Sequence, residues 1–91
     1  MKAVAKLRPE PGAMALIDVE PPERRAGEVL IRISAGGICG TDVAIWKWHE
    51  AVVGQYAPSF PLIVGHEFAG TVVASDRPRA APGAVVAVNP Q

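Results

Sequence analysis

The sequence predicts a mainly β domain, a small barrel or sandwich carrying one short helix. Three observations lead there. Short apolar runs broken by turn residues recur along the whole chain, and many short strands with such punctuation indicate a barrel or sandwich. In Val29-Leu30-Ile31-Arg32-Ile33-Ser34, Val29, Ile31 and Ile33 share one face while Leu30, Arg32 and Ser34 share the other, the two-residue period of a half-buried strand. Nine prolines and nine glycines cut the runs apart.

The apolar runs, in order, are Met1 to Leu7, Ala13 to Val19, Val29 to Ser34, Phe68 to Ala74 and Ala84 to Val88. Each reads as a strand. Pro9-Glu10-Pro11-Gly12, Pro21-Pro22-Glu23 and Pro82-Gly83 are the clearest turns between them. One helix is expected over about Asp42 to Trp48, capped by Thr41 or Asp42, both of which offer a short side-chain oxygen to the first free amides. Its N-terminal dipole favours negative charge at Cys39. From Glu50 to Pro61 the pattern fades into a loop, and Asp76-Arg77-Pro78-Arg79-Ala80-Ala81-Pro82 reads as a polar connector.

Composition excludes several classes. Ninety-one residues make at most one small domain, near the lower size for a self-sufficient apolar core. Nine Lys+Arg balance nine Asp+Glu, so no net charge steers the chain to nucleic acid or to a membrane surface. One cysteine rules out an internal disulfide, and the start shows neither a signal-peptide run nor a transit-peptide composition, which fits a reducing cytoplasm. The apolar stretches fall far short of a membrane span.

The chemistry is concentrated in two clusters. Gly36-Gly37-Ile38-Cys39-Gly40-Thr41-Asp42 holds the lone cysteine, and Gly65-His66-Glu67 follows, with His66 27 residues after Cys39. A thiolate, an imidazole and a carboxylate are the side-chain types that hold a catalytic zinc and leave one coordination position open. The flanking glycines allow the positive-φ or crowded backbone that aims short ligands at one point. Alone, Cys39 is a small buried hydrophobe and His66 a satisfied core histidine; together they point to metal.

The two clusters, with Ile45-Trp46-Lys47-Trp48, Pro61-Leu62-Ile63-Val64 before Gly65-His66-Glu67-Phe68-Ala69-Gly70 after it, and the opening Met1-Lys2-Ala3-Val4, resemble the amino-terminal catalytic domain of the zinc-dependent medium-chain alcohol dehydrogenases. The similarity is strongest to the threonine and polyol branch and covers most of the chain. It implies a GroES-like, partly open β-barrel over 1–91, an incomplete domain that lacks the doubly wound cofactor domain and its Gly-x-Gly-x-x-Gly loop. It further implies zinc held by Cys39, His66 and Glu67, NAD(P) on the domain not found here, a small-molecule alcohol or polyol as substrate, and a homo-oligomeric, cytoplasmic full-length enzyme. By itself this stretch is expected to be inactive, as a fragment, a truncated product or an incomplete gene.

Individual roles follow from the same resemblance. Glu67 is a third ligand, a hydrogen-bonding partner of a ligand, or a partner for an arginine inside the barrel. Thr41, two residues past the thiolate, starts proton removal from the alcohol or merely caps the helix. Asp42 is a first-turn carboxylate or an acceptor that orients a ligand. Trp46, Trp48 and Tyr56 line the substrate pocket or pack the core, and His49 is solvated surface. Threonine dehydrogenases typically carry a histidine where this chain has Ala44, which favours a polyol or simple secondary alcohol over L-threonine. Two other readings stand beside the dehydrogenase: a non-catalytic GroES-like module, and a zinc-free quinone-reductase-like enzyme, whose relatives ordinarily lack the Cys and Gly-His-Glu pairing.

Overall fold

A computed structural model describes residues 1–50 and 59–88. Its elements are β1 (Lys2–Lys6), β2 (Met14–Asp18), β3 (Val29–Gly37), α1 (Gly40–Lys47), β4 (Leu62–Ile63), β5 (Glu67–Ser75) and β6 (Val85–Ala87). All five expected strands are present, and β4 is an addition. The strands form two open three-stranded sheets, β2-β1-β4 and β3-β5-β6, and neither closes on itself. The chain divides into two compact units, Met1–Glu20 with Ile38–Gly65 and Pro21–Gly37 with His66–Gln91. Among the described residues no helix is long and apolar enough to cross a membrane.

In the first unit β1 is the central strand. It runs antiparallel to β2 from Lys2↔Asp18 to Lys6↔Met14, and to β4 through Ala5↔Ile63 and Lys6↔Leu62. The predicted Pro9–Gly12 turn joins β1 to β2; it closes with Leu7 N–H donating to Ala13 O at 2.8 Å and takes positive φ at Gly12 (70°) and Ala13 (53°). β4 is only two residues long. No periodicity marks so short a strand, and its existence rests on its partners in β1.

Adjacent residues of a strand point to opposite faces, yet Ala5 and Lys6 are both fully buried. The Lys6 side chain turns into the unit. Its ammonium donates to the carbonyls of Glu10, Gly12 and Trp46, the last at 3.2 Å, and sits 5.3 Å from the centre of the Trp48 ring. Burial pushes its pKa below the usual lysine value, with the Glu10 carboxylate opposing that shift. A strand lysine reads from sequence as solvated, so this hub was not foreseen.

In the second unit β5 is central, pairing antiparallel with β3 and with β6. The regular alternation expected for Val29–Ser34 is interrupted. Register shifts fall between Leu30 and Ile31 and between Ile33 and Ala35, and Ile33 is more than half exposed. Each bulge adds an unpaired residue and turns the following side chains onto another face. Beside the second shift, Gly70 lies so close to β3 that a Cβ on it would fall 2.1 Å from Arg32 O and 2.9 Å from Ile31 Cγ2. Only a residue without a side chain permits this approach. Val72, buried beneath the sheet, exchanges backbone hydrogen bonds with the Gly83–Ala84 turn at 2.8 and 2.9 Å.

The polar connector after β5 has a defined task. Asp76 accepts from Gly27 N–H at 3.0 Å and pairs with Arg24 at 3.2 Å, while Arg77 Nε donates to Gly27 O at 2.7 Å. The turn before β3 and the turn after β5 are thereby clamped together. The Gly27 amide and the Arg24 guanidinium hold the Asp76 carboxyl below its ordinary pKa, in that order of importance.

Candidate metal centre

Cys39 opens α1. It has extended φ/ψ (−108°, 175°), and its Sγ accepts from Thr41 N–H at 3.3 Å. Asp42 closes the capping box by reaching back, so that Cys39 N–H donates to Asp42 Oδ2 at 3.0 Å. The expected start of the helix is therefore corrected by two residues: Cys39 is the cap, in place of Thr41 or Asp42, and the helix spans Gly40–Lys47 and ends before Trp48. Cysteine is absent from the usual list of capping residues, all of which offer oxygen or no side chain. Here the sulfur takes the oxygen's place because Asp42 stands three positions on to complete the box.

The cap fixes the half-buried thiol at the first turn and aims Thr41 and Asp42 from the same turn. Thr41 and Asp42 are half-buried as well. Asp42 thus braces the backbone of Cys39 through the capping box. At the far end Trp48 stops the helix in the left-handed conformation (φ 59°, ψ 53°), and its ring meets Phe60 at 5.9 Å between centroids. Trp46 is 52% exposed. Tyr56 lies outside the described residues. His49 is exposed, as expected.

The second cluster starts β5. Glu67 pairs with Gly37 at the end of the β3–β5 ladder, and its carboxylate lies over that glycine: a Cβ on Gly37 would come within 3.3 Å of Glu67 Oε2. Gly37 is thus a seat for Glu67. Of the glycines flanking the two clusters, Gly65 alone has positive φ (104°), which turns the backbone immediately before half-buried His66. Gly36, Gly37 and Gly40 serve by lacking a side chain or lie in ordinary backbone.

Thiol, imidazole and carboxylate side chains suit zinc in charge and softness. The donor types present fit a zinc ion, and the capped thiol of Cys39 and the seated carboxylate of Glu67 are each held by local structure. The sequence carries no local signal that marks Lys6. Its acceptors stand as far as 40 residues away along the chain.

Comparison with known proteins gives the family. Residues 25–91, more than half of the chain, match the alcohol dehydrogenase GroES-like domain. L-threonine 3-dehydrogenase of Paraburkholderia phytofirmans is 47% identical over 73 residues, 80% of this chain and 20% of that protein. The enzyme of the same description from Francisella philomiragia is 47% identical over 74 residues, again 20% of its length. Among solved structures, alcohol dehydrogenase TADH from Thermus sp. ATN1 superposes with a TM-score of 0.73 at 30% identity, over 96% of this chain and 24% of that one. The chain spans about a fifth of the length of these curated relatives.

Proposed function

Because the chain belongs to the alcohol dehydrogenase GroES-like domain family, we propose that it is the catalytic-domain portion of a zinc- and NAD(P)-dependent dehydrogenase that oxidises a secondary alcohol or polyol. Cys39, His66 and Glu67 hold the metal, Asp42 keeps Cys39 in place, and Thr41 takes the hydroxyl proton. Zinc held there would supply Lewis acidity towards an alcohol oxygen, and a nicotinamide would supply the hydride acceptor. The sequence contains no Gly-x-Gly-x-x-Gly loop, so the nicotinamide site belongs to a further domain of the whole enzyme. Trp46, Trp48 and Tyr56 are the pocket wall in this reading, within a cytoplasmic homo-oligomer.

The observation that carries the proposal is the capped cysteine. Its sulfur is held at a fixed height by Thr41 N–H and the Asp42 brace, an arrangement that a merely buried hydrophobe does not need. Cobalt titration of wild type, Cys39→Ala and His66→Ala tests it. Wild type should show a thiolate-to-cobalt charge-transfer band that both variants lose. Equal metal content in all three proteins sinks the assignment.

L-threonine 3-dehydrogenase activity is the second reading, favoured by the names of the similar curated proteins. Ala44 weighs against it. The residue is buried in α1 and carries no group that passes a proton onward from Thr41. General-base assistance contributes roughly 10²–10⁴-fold, so the complete enzyme should favour 2,3-butanediol or sorbitol in kcat/KM. A clear preference for L-threonine reverses the order of the two readings.

A further inference from the structure

α1 has eight residues, and isolated helices shorter than about 12–15 residues are marginal in water. It persists because both ends are tied. The Cys39 capping box ties the first end. At the second, Trp46 O accepts from Gly12 N–H at 2.8 Å and from Lys6 Nζ at 3.2 Å, while the left-handed turn at Trp48 satisfies Ala44 and Ile45.

Lys6 is the node of that second tie. An ammonium has three N–H donors and no acceptor, and here three backbone carbonyls, from the β1–β2 turn and from α1, take them. The Trp48 ring adds a cation–π contact. The Glu10 carboxylate is already paired with Arg8 at 2.9 Å, so Lys6 is gripped by main chain. Burying a charge is costly unless it is fully hydrogen-bonded, and an apolar residue would fill a strand position without that cost. What an apolar residue lacks is a bond from the central strand to the end of the helix.

We propose that Lys6 is a positioning residue: by anchoring the C-terminal end of α1 to β1 and its turn, it sets where the helix presents Cys39 at its other end. Eight helical residues span about 12 Å, and a rod that short transmits a shift at one end to the other. The consequence for metal affinity rests on the proposed zinc function; the anchoring of Cys39 does not.

Amide hydrogen exchange of the whole chain, measured without metal, separates anchoring from local packing. In Lys6→Met, exchange should speed up about tenfold at Asp42 and Val43, whose N–H groups reach Cys39 O, as well as at Gly12 and Trp48, while Val72 in the other unit keeps its rate. Lys2→Met, which removes an exposed lysine from the same strand, should leave all five amides unchanged. Acceleration confined to Gly12, Trp48 and His49 overturns the proposal. A Lys6→Met chain that loses protection at Val72 too has unfolded. In that event Lys6→Arg, whose planar fork does not match three converging carbonyls, must show the same pattern or the proposal falls. Cobalt affinity supplies a second readout: residues that orient ligands alter metal binding by about 10–100-fold, so Lys6→Met should weaken it at least tenfold. A wild type that takes up no cobalt through Cys39 defeats the zinc reading and leaves the exchange pattern to judge the anchor.

Discussion

The two units keep their shape by different means. The unit of β1, β2, β4 and α1 is organised around a charge, with the Lys6 ammonium drawing a strand, a turn and a helix end onto one point. Among its described residues, the unit of β3, β5 and β6 has no such centre. Ladder register, a backbone approach at Gly70 and the Asp76–Gly27–Arg77 clamp at the turns hold it together. A directional hub tolerates an irregular outline, since each bond specifies its own geometry. A ladder depends on every rung being spaced correctly. The first unit should therefore fail by loosening around one residue, and the second by losing register.

Gly70→Ala strikes the ladder hardest. Its new methyl group would overlap a backbone oxygen that cannot rotate away, and β3 and β5 must separate to admit it. Overpacking costs about 1–3 kcal/mol and occasionally more, so chemical denaturation should show a loss at or above that range. A loss under about 0.5 kcal/mol would mean that the two strands are not so closely apposed. Lys6→Met comes next: it takes the ammonium from the Glu10 and Gly12 carbonyls and leaves Trp46 O with the Gly12 N–H alone, and hydrogen bonds to charged groups are worth about 1.5–3 kcal/mol each before the relief of burying a charge is subtracted. The net loss in the same denaturation assay should fall below that of Gly70→Ala, and the reverse order would show the hub to be the stronger device.

Asp76→Asn is the mildest and is read through pH. The folded-state pKa of Asp76 is lowered, so its contribution is fully present above the ordinary carboxyl value of about 3.9 and is lost as pH falls through the folded value. Wild type should melt above Asp76→Asn at neutral pH, and the gap should close in acid. A gap that stays constant down to the acid limit would place the stabilisation elsewhere in the clamp.

Elements with local causes were legible in the sequence. The apolar runs of β1, β2, β3, β5 and β6, the Pro9–Gly12 turn and the order of the chemical clusters all depend on neighbours within a few residues. What was missed depends on partners further away. β4 exists because β1 offers it a place, the register shifts of the β3–β5 ladder arise in the pairing of the two strands, and Lys6 is buried because Trp46 returns to meet it. The helix start was misplaced for a different reason: a sulfur took over a position normally given to oxygen, and residue statistics do not anticipate the substitution.

Cys39 caps the start of a helix and is also the proposed metal donor, so a single atom joins folding to chemistry at that position. Serine there would preserve the hydrogen bond to the Thr41 amide and the start of α1 while withdrawing the soft donor; alanine would remove both. The helix and the ligand therefore have separable genetics at one codon, and a lineage that gave up its metal at this position would not have to give up its fold.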